Sequence, residues 1–371
     1  MKRRFLAVMA AFCLLFVVGC HTAKVPESSD SSHNAAGSTD VLQGVWVSYL
    51  ELDELLTDAT PENAATRLDE MMDTCRRLGL DTLFFHVRAH GDAYYASSVY
   101  PAADAAAGLL EQGFDPLAYA VEAAHRQGLA IHAWVNPYRL GDTAHGDSFQ
   151  KDGVWYADPG SPTARGRVLE GVRELLAGYP VEGIHFDDYF YPAGMAAEGE
   201  SFETIPTGTD VTLWRQTQVD ALVSSVYNLC KQAGRTFGIS PMASIEQCRT
   251  VAFADVERWM SQPGYVDYIC PQLYTGFDHQ TNPFPKMLRK WAALPRREEV
   301  NLYVGLALYK AGLENDPYAG SGSGEWATHD DILARQVAAL RKKADGFVLF
   351  RHGFLTDPVA KNELENLQTV L

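Results

Sequence analysis

Two adjacent carboxylates, Asp187 and Asp188, end a run of alternating apolar and polar residues that aromatic side chains follow. The alternation of Ile184 and Phe186 with His185 predicts a strand with two different faces. A carboxylate at the end of a buried strand can act as a general acid, a general base or a charge stabiliser. If the strand stays regular, Asp187 and Asp188 point to opposite faces, so they are not expected to face one substrate together.

A repeating pattern of short apolar runs and helix-period segments extends from Gln43 to the end of the chain. One helix candidate begins at Pro61 after the cap Thr60, and another begins at Pro116 after the cap Asp115. Eight rounds of strand and helix predict an α/β fold, a (β/α)₈ TIM barrel that forms a single domain over residues 42–371. The strand candidates are Gly44 to Leu50, Asp81 to Ala89, Leu129 to Asn136, Val181 to Asp187, Thr236 to Met242, Val266 to Tyr274, Asn301 to Leu308 and Gly346 to Arg351.

An open doubly wound sheet is the rival architecture for alternating strands and helices. It usually carries a Gly-rich phosphate loop after an early strand, and none is present here. In a closed barrel the helices cover the outside, so the more aliphatic parity of each strand should face outward. The alternate side chains of each strand then point into the barrel, and those at the carboxyl ends of the strands lie where the active sites of such barrels are found. The inward residues expected at the barrel mouth are Arg88, Asn136, Asp187, Gln272 and Tyr274.

An inward carboxylate among amides and aromatic rings suits a sugar, because amides hold hydroxyl groups and rings stack on the pyranose. Arg88 and Arg139 could instead neutralise the carboxylates in a structural ion-pair network. A second catalytic carboxylate would have to come from another loop, and a separation of ~5 Å would predict a retaining mechanism and ~6.5–9.5 Å an inverting one. The candidates are Asp53, Asp92, Glu246 and Asp278.

Three inward histidines, His86, His132 and His185, form the layer below the predicted mouth. No spaced carboxylate or second histidine completes a zinc pattern, so we interpret them as satisfied interior residues or proton-tuning neighbours. No metal and no other cofactor is predicted. The cysteines that follow Cys20 also lack metal-ligand spacing and are expected to be buried free thiols.

The first residues predict export. Three basic residues precede an apolar run from Phe5 to Val18, which has the layout of a secretory signal and is too short to span a membrane. The run ends in Val17-Val18-Gly19-Cys20, which resembles the lipobox of bacterial lipoproteins, although an ordinary signal peptide with an incidental cysteine is the alternative. We therefore predict a signal peptide over residues 1–19, lipidation of Cys20, and a polar, flexible tether over residues 20–41. His21 is compatible with anchoring to an outer membrane if the host has one.

The net charge limits the classes of partner that this protein is expected to bind. Removal of residues 1–19 leaves 28 basic residues against 47 acidic ones, a net charge of −19. A strongly acidic chain is a poor partner for nucleic acid or other polyanions. The predicted partners are a polysaccharide or oligosaccharide substrate and a bacterial membrane, contacted through the lipid on Cys20.

Several strings in this order resemble the glycosyl-hydrolase-like family 10 proteins, which are bacterial secreted or lipoprotein (β/α)₈ barrels. The most specific strings are Asn136-Pro-Tyr-Arg139 and Phe186-Asp-Asp-Tyr-Phe-Tyr191. The chain departs from the family after Met242, where Ala243-Ser244-Ile245 stands in place of a stretch that usually contains an aromatic residue. The resemblance implies action on a cell-envelope glycan, with peptidoglycan strands as the leading candidate. It implies a pocket built from Asn136, Tyr138, Arg139, Asp187, Asp188, Gln272 and Tyr274.

We hypothesise a glycoside hydrolase with Asp187 at the reaction centre and Asp188 as its partner. Arg88, Asn136 and Gln272 would hold sugar substituents, and Tyr138, Tyr189 and Tyr274 would line the subsites. The strand-four string is also similar to the family 18 chitinase signature, but Tyr189 stands where that family has its acidic Glu. A non-catalytic glycan-binding lipoprotein is therefore one alternative, and a metal-dependent deacetylase that uses the inward histidines is another.

Overall fold

A closed barrel of eight parallel strands forms the centre of the structure, a computed structural model that describes residues 41–371. The barrel order is β1-β11-β10-β9-β8-β7-β3-β2, with every neighbouring pair parallel. The predicted (β/α)₈ TIM barrel is confirmed; seven of the eight strand candidates contain one barrel strand, and the first, Gly44 to Leu50, overlaps a strand that begins two residues earlier, at Leu42. The strands are β1 (Leu42–Val47), β2 (Thr82–Arg88), β3 (Ala130–Val135), β4 (Arg139–Gly141), β5 (Ser148–Lys151), β6 (Val154–Ala157), β7 (Gly183–Phe186), β8 (Thr236–Ile239), β9 (Tyr268–Ile269), β10 (Asn301–Leu306) and β11 (Gly346–Phe350).

Helices surround the barrel, and several begin where the sequence predicted. The Thr60 side chain accepts a hydrogen bond from the backbone of Asn63, and Asp115 accepts two at the start of another helix. Such caps satisfy backbone N–H groups that have no partner within the helix. The helices are α1 (Tyr49–Leu56), α2 (Pro61–Arg77), α3 (Asp104–Glu111), α4 (Pro116–Arg126), α5 (Pro162–Gly178), α6 (Val211–Gln232), α7 (Ile245–Thr250), α8 (Val256–Ser261), α9 (Phe284–Ala292), α10 (Glu325–Thr328), α11 (Ile332–Leu340) and α12 (Lys361–Gln368).

The loop between β3 and α5 carries a feature that the sequence did not predict. Strands β4, β5 and β6 form a separate three-stranded antiparallel sheet in the order β4-β6-β5. Phe149 of β5 stacks on Phe202 with ring centroids 3.8 Å apart, which joins this sheet to the long loop that follows β7. The sheet places Arg139 at the start of β4, beside the barrel mouth.

Large side chains fill the barrel interior, and glycines on neighbouring strands make room for them. The buried interior cluster contains Trp46, Phe84, Trp134, Tyr268 and Cys270, together with Val348. A Cβ atom added at Gly238 would lie 2.2 Å from the ring of Tyr268, which is closer than any real Cβ contact. Gly238 on β8 therefore leaves the space that the Tyr268 side chain occupies inside the barrel.

The side chains of β2 that were predicted to face outward do so up to Val87. A β-bulge then reverses the alternation for the residue that follows. Leu83, Phe85 and Val87 all pack in the large core between strands and helices. Beyond His86 the pairing with β3 shifts by one residue, so that Arg88 lies opposite Val135. An extra residue in one strand turns the following side chain to the other face. The prediction that Arg88 points into the barrel was therefore wrong.

The cysteines within residues 41–371 are buried and free, as predicted. They are Cys75, Cys230, Cys248 and Cys270. In the same range, no helix combines the length and apolar character needed to cross a membrane. The predicted signal peptide, Cys20 and nearly all of the tether lie outside the residues that the structure describes.

Candidate active site

A cavity of about 330 Å³ opens at the carboxyl ends of the barrel strands. Residues from seven of the barrel strands or the loops directly after them line it, so it lies where barrel enzymes build their sites. Its lining residues are Trp46, Ser48, Tyr49, Leu50, His86, Trp134, Asn136, Arg139, Asp187, Asp188, Tyr189, Ser240, Gln272, Tyr274 and Phe350.

Asp187 and Asp188 both line this cavity, contrary to the expectation that they face apart. Strand β7 ends at Phe186, so the strict alternation that separates neighbouring side chains no longer applies. The backbone N–H of Asp188 donates to Asp187 Oδ1 over 2.7 Å, and the two carboxyl groups are hydrogen-bonded to one another. The end of the strand thus brings together a pair that parity had separated.

The environment of this pair favours protonation. Burial raises the pKa of Asp187, and the hydrogen bonds from Asp188 offset part of that rise. Burial, and then the neighbouring charge of Asp187, hold the pKa of Asp188 well above its ordinary value. Two like charges in contact within a buried site cannot both ionise easily, so this environment favours retention of a proton by the pair.

Polar neighbours fix the position of Asp187. Gln272 Nε2 donates to Asp187 Oδ1 over 3.3 Å and to the carbonyl oxygen of Ser240 over 2.9 Å. The positive charge of Arg139 opposes the rise in the pKa of Asp187, although burial and the contacts with Asp188 have larger effects. The Arg139 guanidinium lies 5.1 Å from the centre of the Tyr189 ring. The cavity therefore combines a proton-sharing pair, one cation and an amide.

The wall formed by β2 and β3, next to β7, contains a stack of two rings. The His86 and Trp134 rings lie parallel, with centroids 3.6 Å apart. The backbone N–H of Tyr49 donates to His86 Nδ1 over 3.3 Å, and Asn136 Nδ2 donates to the carbonyl oxygen of Ala89 over 2.9 Å. These contacts fix the orientation of the imidazole and of the amide.

Tyr274 lines the cavity and packs against Phe350, with ring centroids 5.5 Å apart. The backbone at Tyr274 is held from below, because Lys310 Nζ donates to its carbonyl oxygen over 2.8 Å. Lys310 is itself buried and forms an ion pair with Asp316 at 2.5 Å. A buried charged network thus supports an aromatic wall of the site.

Two residues of the predicted pocket lie outside this cavity. Arg88 donates to the carbonyl oxygens of Asn136 and Pro137 and stacks over Tyr100 at 4.5 Å, so it supports the loop after β3. Tyr138 is fully buried beneath that loop, and its carbonyl oxygen accepts from the backbone N–H of Ala157, the last residue of β6, over 2.8 Å. The structure does not place either residue where it could touch a ligand in the cavity.

The structure brings the other predicted residues together, and their roles remain predictions. They are Asn136, Arg139, Asp187, Asp188, Tyr189, Gln272 and Tyr274. Sequence reasoning missed the contributions of the first and last strands, Trp46, Ser48, Tyr49 and Phe350. The parity rule applied to Gly44-Val-Trp-Val-Ser48 would have found Trp46 and Ser48.

The model of the family described as Glycosyl hydrolase-like 10 matches residues 41–319. The chain belongs to this family. The predicted family resemblance is thereby confirmed.

The relatives of this Glycosyl hydrolase-like 10 protein include proteins named glycosyl hydrolases. The chain is 26% identical over 405 residues to "Glycosyl hydrolase DigH" of Escherichia coli (strain K12), covering 93% of this chain and 90% of that protein. It is 26% identical over 348 residues to "Glycosyl hydrolase YngK" of Bacillus subtilis (strain 168), covering 82% of this chain and 67% of that protein.

Solved structures show the same fold. The PgaB (BpsB) glycoside hydrolase domain from Bordetella bronchiseptica superposes with a TM-score of 0.60 at 14% identity, covering 88% of this chain and 99% of that chain. The catalytic domain of β-amylase from Paenibacillus polymyxa gives a TM-score of 0.55 at 10% identity, covering 90% of this chain and 98% of that chain. At these identities the likeness shows the barrel fold alone.

A second cavity, of about 700 Å³, adjoins the first in this Glycosyl hydrolase-like 10 barrel, and Arg139 lines both. Asp53 and Asp92, two of the candidates for a second catalytic carboxylate, line this second cavity. The other two candidates, Glu246 and Asp278, line neither cavity. The acidic side chains that line the first cavity are Asp187 and Asp188.

The inward histidines have partners that do not suit metal binding. The Tyr268 hydroxyl lies 2.9 Å from His132 Nδ1 and 3.0 Å from His185 Nδ1, and His185 Nε2 accepts from Trp46 Nε1 over 3.2 Å. Within residues 41–371 no group of three or more His, Cys, Asp or Glu side chains is arranged to hold a metal ion. His132 and His185 therefore belong to a hydrogen-bonded network inside the barrel.

Proposed function

We propose that this protein is a glycoside hydrolase that cleaves a cell-envelope glycan, with the glycan strands of peptidoglycan as the substrate and Asp187 at the reaction centre. One observation carries the proposal: Asp187 and Asp188 form a hydrogen-bonded pair in a cavity at the barrel mouth. Glycosidic bond cleavage needs a carboxylic acid that can protonate the leaving oxygen. A pair that holds one proton in a buried site supplies that acid at neutral pH.

The neighbouring side chains have roles that follow from their contacts. Gln272 and Arg139 keep the charge of Asp187 oriented, and the aromatic walls formed by Trp46, Tyr189 and Tyr274 offer faces on which a sugar ring can stack. The ionised member of the pair stabilises the positive charge that develops on the sugar. Asp188 carries the proton, because Asp187 Oδ1 accepts from the Asp188 backbone N–H and from Gln272 Nε2, and such hydrogen bonds favour the ionised form of Asp187.

The test is release of reducing ends. Purified protein is incubated with intact peptidoglycan, with peptide-stripped glycan strands and with chitin oligomers, beside Asp187→Asn. We expect new reducing ends with the wild type and a loss of about 10²–10³-fold in Asp187→Asn, because this variant lacks the charge that stabilises the developing positive charge. Equal signals from wild type and variant on every substrate would refute the proposal.

A non-catalytic glycan-binding protein is a second candidate. It is favoured because the two acidic residues that line the cavity are neighbours in sequence, so no carboxylate faces the pair across the cavity within residues 41–371. Binding of glycan strands by both wild type and Asp187→Asn, without turnover by either, would establish this alternative.

We further propose that the protein is exported and is anchored to a bacterial membrane through lipid on Cys20. The basic start, the apolar run and the Gly19-Cys20 pair support this proposal. An outer membrane is the expected location in a double-membraned host, since His21 rather than aspartate follows Cys20.

A further inference from the structure

Three polar atoms on one wall of the cavity lack a hydrogen-bond partner: His86 Nε2, Trp134 Nε1 and Asn136 Oδ1. All three side chains are buried, with exposed fractions of 1%, 5% and 1%. A buried polar atom without a partner costs free energy, so such atoms are normally paired. Three of them in one cavity indicate that a ligand supplies the partners.

The local contacts define what each atom offers. Since Tyr49 N–H donates to His86 Nδ1, the neutral imidazole carries its proton on Nε2 and is a donor there. Burial lowers the pKa of His86 well below its ordinary value, which keeps the ring neutral. The Asn136 side chain opposes that lowering, but neither Asn136 Oδ1 nor His86 Nε2 makes a hydrogen bond of normal geometry. Trp134 Nε1 is a second donor, and Asn136 Oδ1 is the acceptor.

Two donors and one acceptor match the needs of a secondary amide. An acetamido group has one N–H to donate and one carbonyl oxygen that accepts twice. A hydroxyl group also offers one donor and two acceptor sites, so the hydrogen-bond count does not distinguish it from an acetamido group. The positions of the carboxylates do. The acidic residues that line the cavity are Asp187 and Asp188, adjacent and hydrogen-bonded, and therefore within residues 41–371 no carboxylate stands across the cavity from the proton donor to act as a nucleophile. An acetamido oxygen can fill that role, whereas a hydroxyl held there has no such chemistry.

We propose that His86, Trp134 and Asn136 bind the 2-acetamido group of an N-acetylhexosamine and hold its carbonyl oxygen as the nucleophile of the reaction. The inference rests on the proposed function and names the substrate class and the missing reactant. In glycosidases that work in this way the substrate replaces the catalytic carboxylate.

The reaction consists of two displacements at the anomeric carbon. The acetamido oxygen bonds to the anomeric carbon while the bond from that carbon to the leaving oxygen breaks. The leaving oxygen takes the proton held by Asp188, and the sugar becomes a cyclic oxazolinium ion beside the ionised pair. Water then bonds to the anomeric carbon, the ring opens to restore the acetamide, and the proton of the water returns to the pair. Two displacements retain the anomeric configuration.

The first experiment compares two forms of one substrate. The full chain is incubated with peptide-stripped glycan strands and with the same strands after chemical removal of the N-acetyl groups. We expect hydrolysis of the acetylated strands alone, with retained configuration in the first product seen by NMR. Equal hydrolysis of both forms, or inversion, would overturn the inference and leave the hydrolase function intact.

The second experiment measures binding, so that it stands even if no strand is cleaved. The probe is the thiazoline made from N-acetylglucosamine, a stable analogue of the oxazolinium ion, titrated by calorimetry. Trp134→Phe keeps the ring and removes one donor, and we expect binding about 10-fold weaker. The control is Trp214→Phe, on α6 and outside the cavity, for which we expect no change.

The outcomes separate the two proposals. Thiazoline binding that weakens in Trp134→Phe but not in Trp214→Phe supports the acetamido site, even if no reducing ends are ever released and the hydrolase proposal fails. Absence of thiazoline binding, or equal binding by both variants, overturns it. If Trp134→Phe does not fold, Asn136→Ala removes the acceptor without changing either ring of the stack, and the same weakening is expected.

Discussion

At the scale of the residue, the proton shared by Asp187 and Asp188 is the property on which the proposed chemistry depends. Each carboxyl is less acidic than a free aspartate, first because of burial and then, for Asp188, because of its neighbour. The site thus keeps an acid at neutral pH without a glutamate at Tyr189, the position at which the chitinase-like pattern would supply one. Chemistry and stability should both respond to pH through this pair.

Activity should fall as pH rises through the raised pKa of Asp188, because the acid is then lost. In Asp187→Asn the neighbouring negative charge is absent, so the pKa of Asp188 should move down and the alkaline limb of the residual activity should shift to lower pH. The measurement is kcat/KM on glycan strands across pH in both proteins. If the alkaline limb lies at the same pH in both proteins, it does not report the ionisation of Asp188.

The contribution of Asp188 to thermal stability should decrease as pH rises. The pKa of Asp188 is raised on folding, so its contribution is fully present below the unfolded value near 3.8 and is lost as pH rises through the folded pKa. Asp188→Asn cannot ionise and should unfold at a higher temperature than wild type at pH 8, with a smaller difference at pH 4. Thermal unfolding at both pH values checks this, with Asp73→Asn on the exposed face of α2 as a control that should show no such dependence.

At the scale of the element, Gly238 shows how a barrel strand tolerates its neighbour. Gly238→Ala forces a methyl group into the Tyr268 ring and should lower the free energy of unfolding by about 1–3 kcal/mol or more. Gly166→Ala in α5 is the control, since nothing lies within 4 Å of its added Cβ and it should stabilise the helix by about 1 kcal/mol. Urea unfolding of both variants measures the difference, and equal effects would contradict the packing argument.

The long loop between β7 and α6 is pinned by one buried ion pair. Arg215 donates to both carboxylate oxygens of Glu203, at 2.8 and 2.6 Å, and to the carbonyl oxygen of Ala196 at 3.0 Å. Arg215→Met leaves the Glu203 charge buried without its partner and should cost about 3–5 kcal/mol. Hydrogen exchange should show the loop of residues 193–209 opening before the barrel strands do. Arg77→Met, which removes an exposed ion pair on α2, should cost less than about 1 kcal/mol.

These elements also show how far sequence reasoning reaches. Short apolar runs, helix caps and turn signals were enough to predict eight strands and a closed barrel, because helices cover the outside of the barrel strands and require apolar residues there. Parity failed where strands stop being regular: the bulge after His86 turned Arg88 away, and the end of β7 at Phe186 turned Asp188 inward. The small antiparallel sheet was missed because its strands have three or four residues, too few for a period to be seen.

At the scale of the whole molecule, the proposed function needs the barrel to stand close to the envelope. We expect the wild-type protein, made in a bacterium that processes lipoproteins, to enter the detergent phase of a phase separation. Cys20→Ala should stay in the aqueous phase with unchanged activity on soluble glycan strands, since Cys20 precedes the residues that form the site. Detergent partitioning of the variant equal to that of the wild type would refute lipidation at Cys20.

The single extra residue in β2 has a consequence for how such a barrel can diversify. Straightening the strand at Val87 would rotate the Arg88 guanidinium from its place under the β3 loop toward Asp187 and Asp188, with no residue exchanged. A cation at that point would favour release of the shared proton. Gain or loss of one strand irregularity could therefore convert an acid catalyst into a receptor that holds glycan without cutting it.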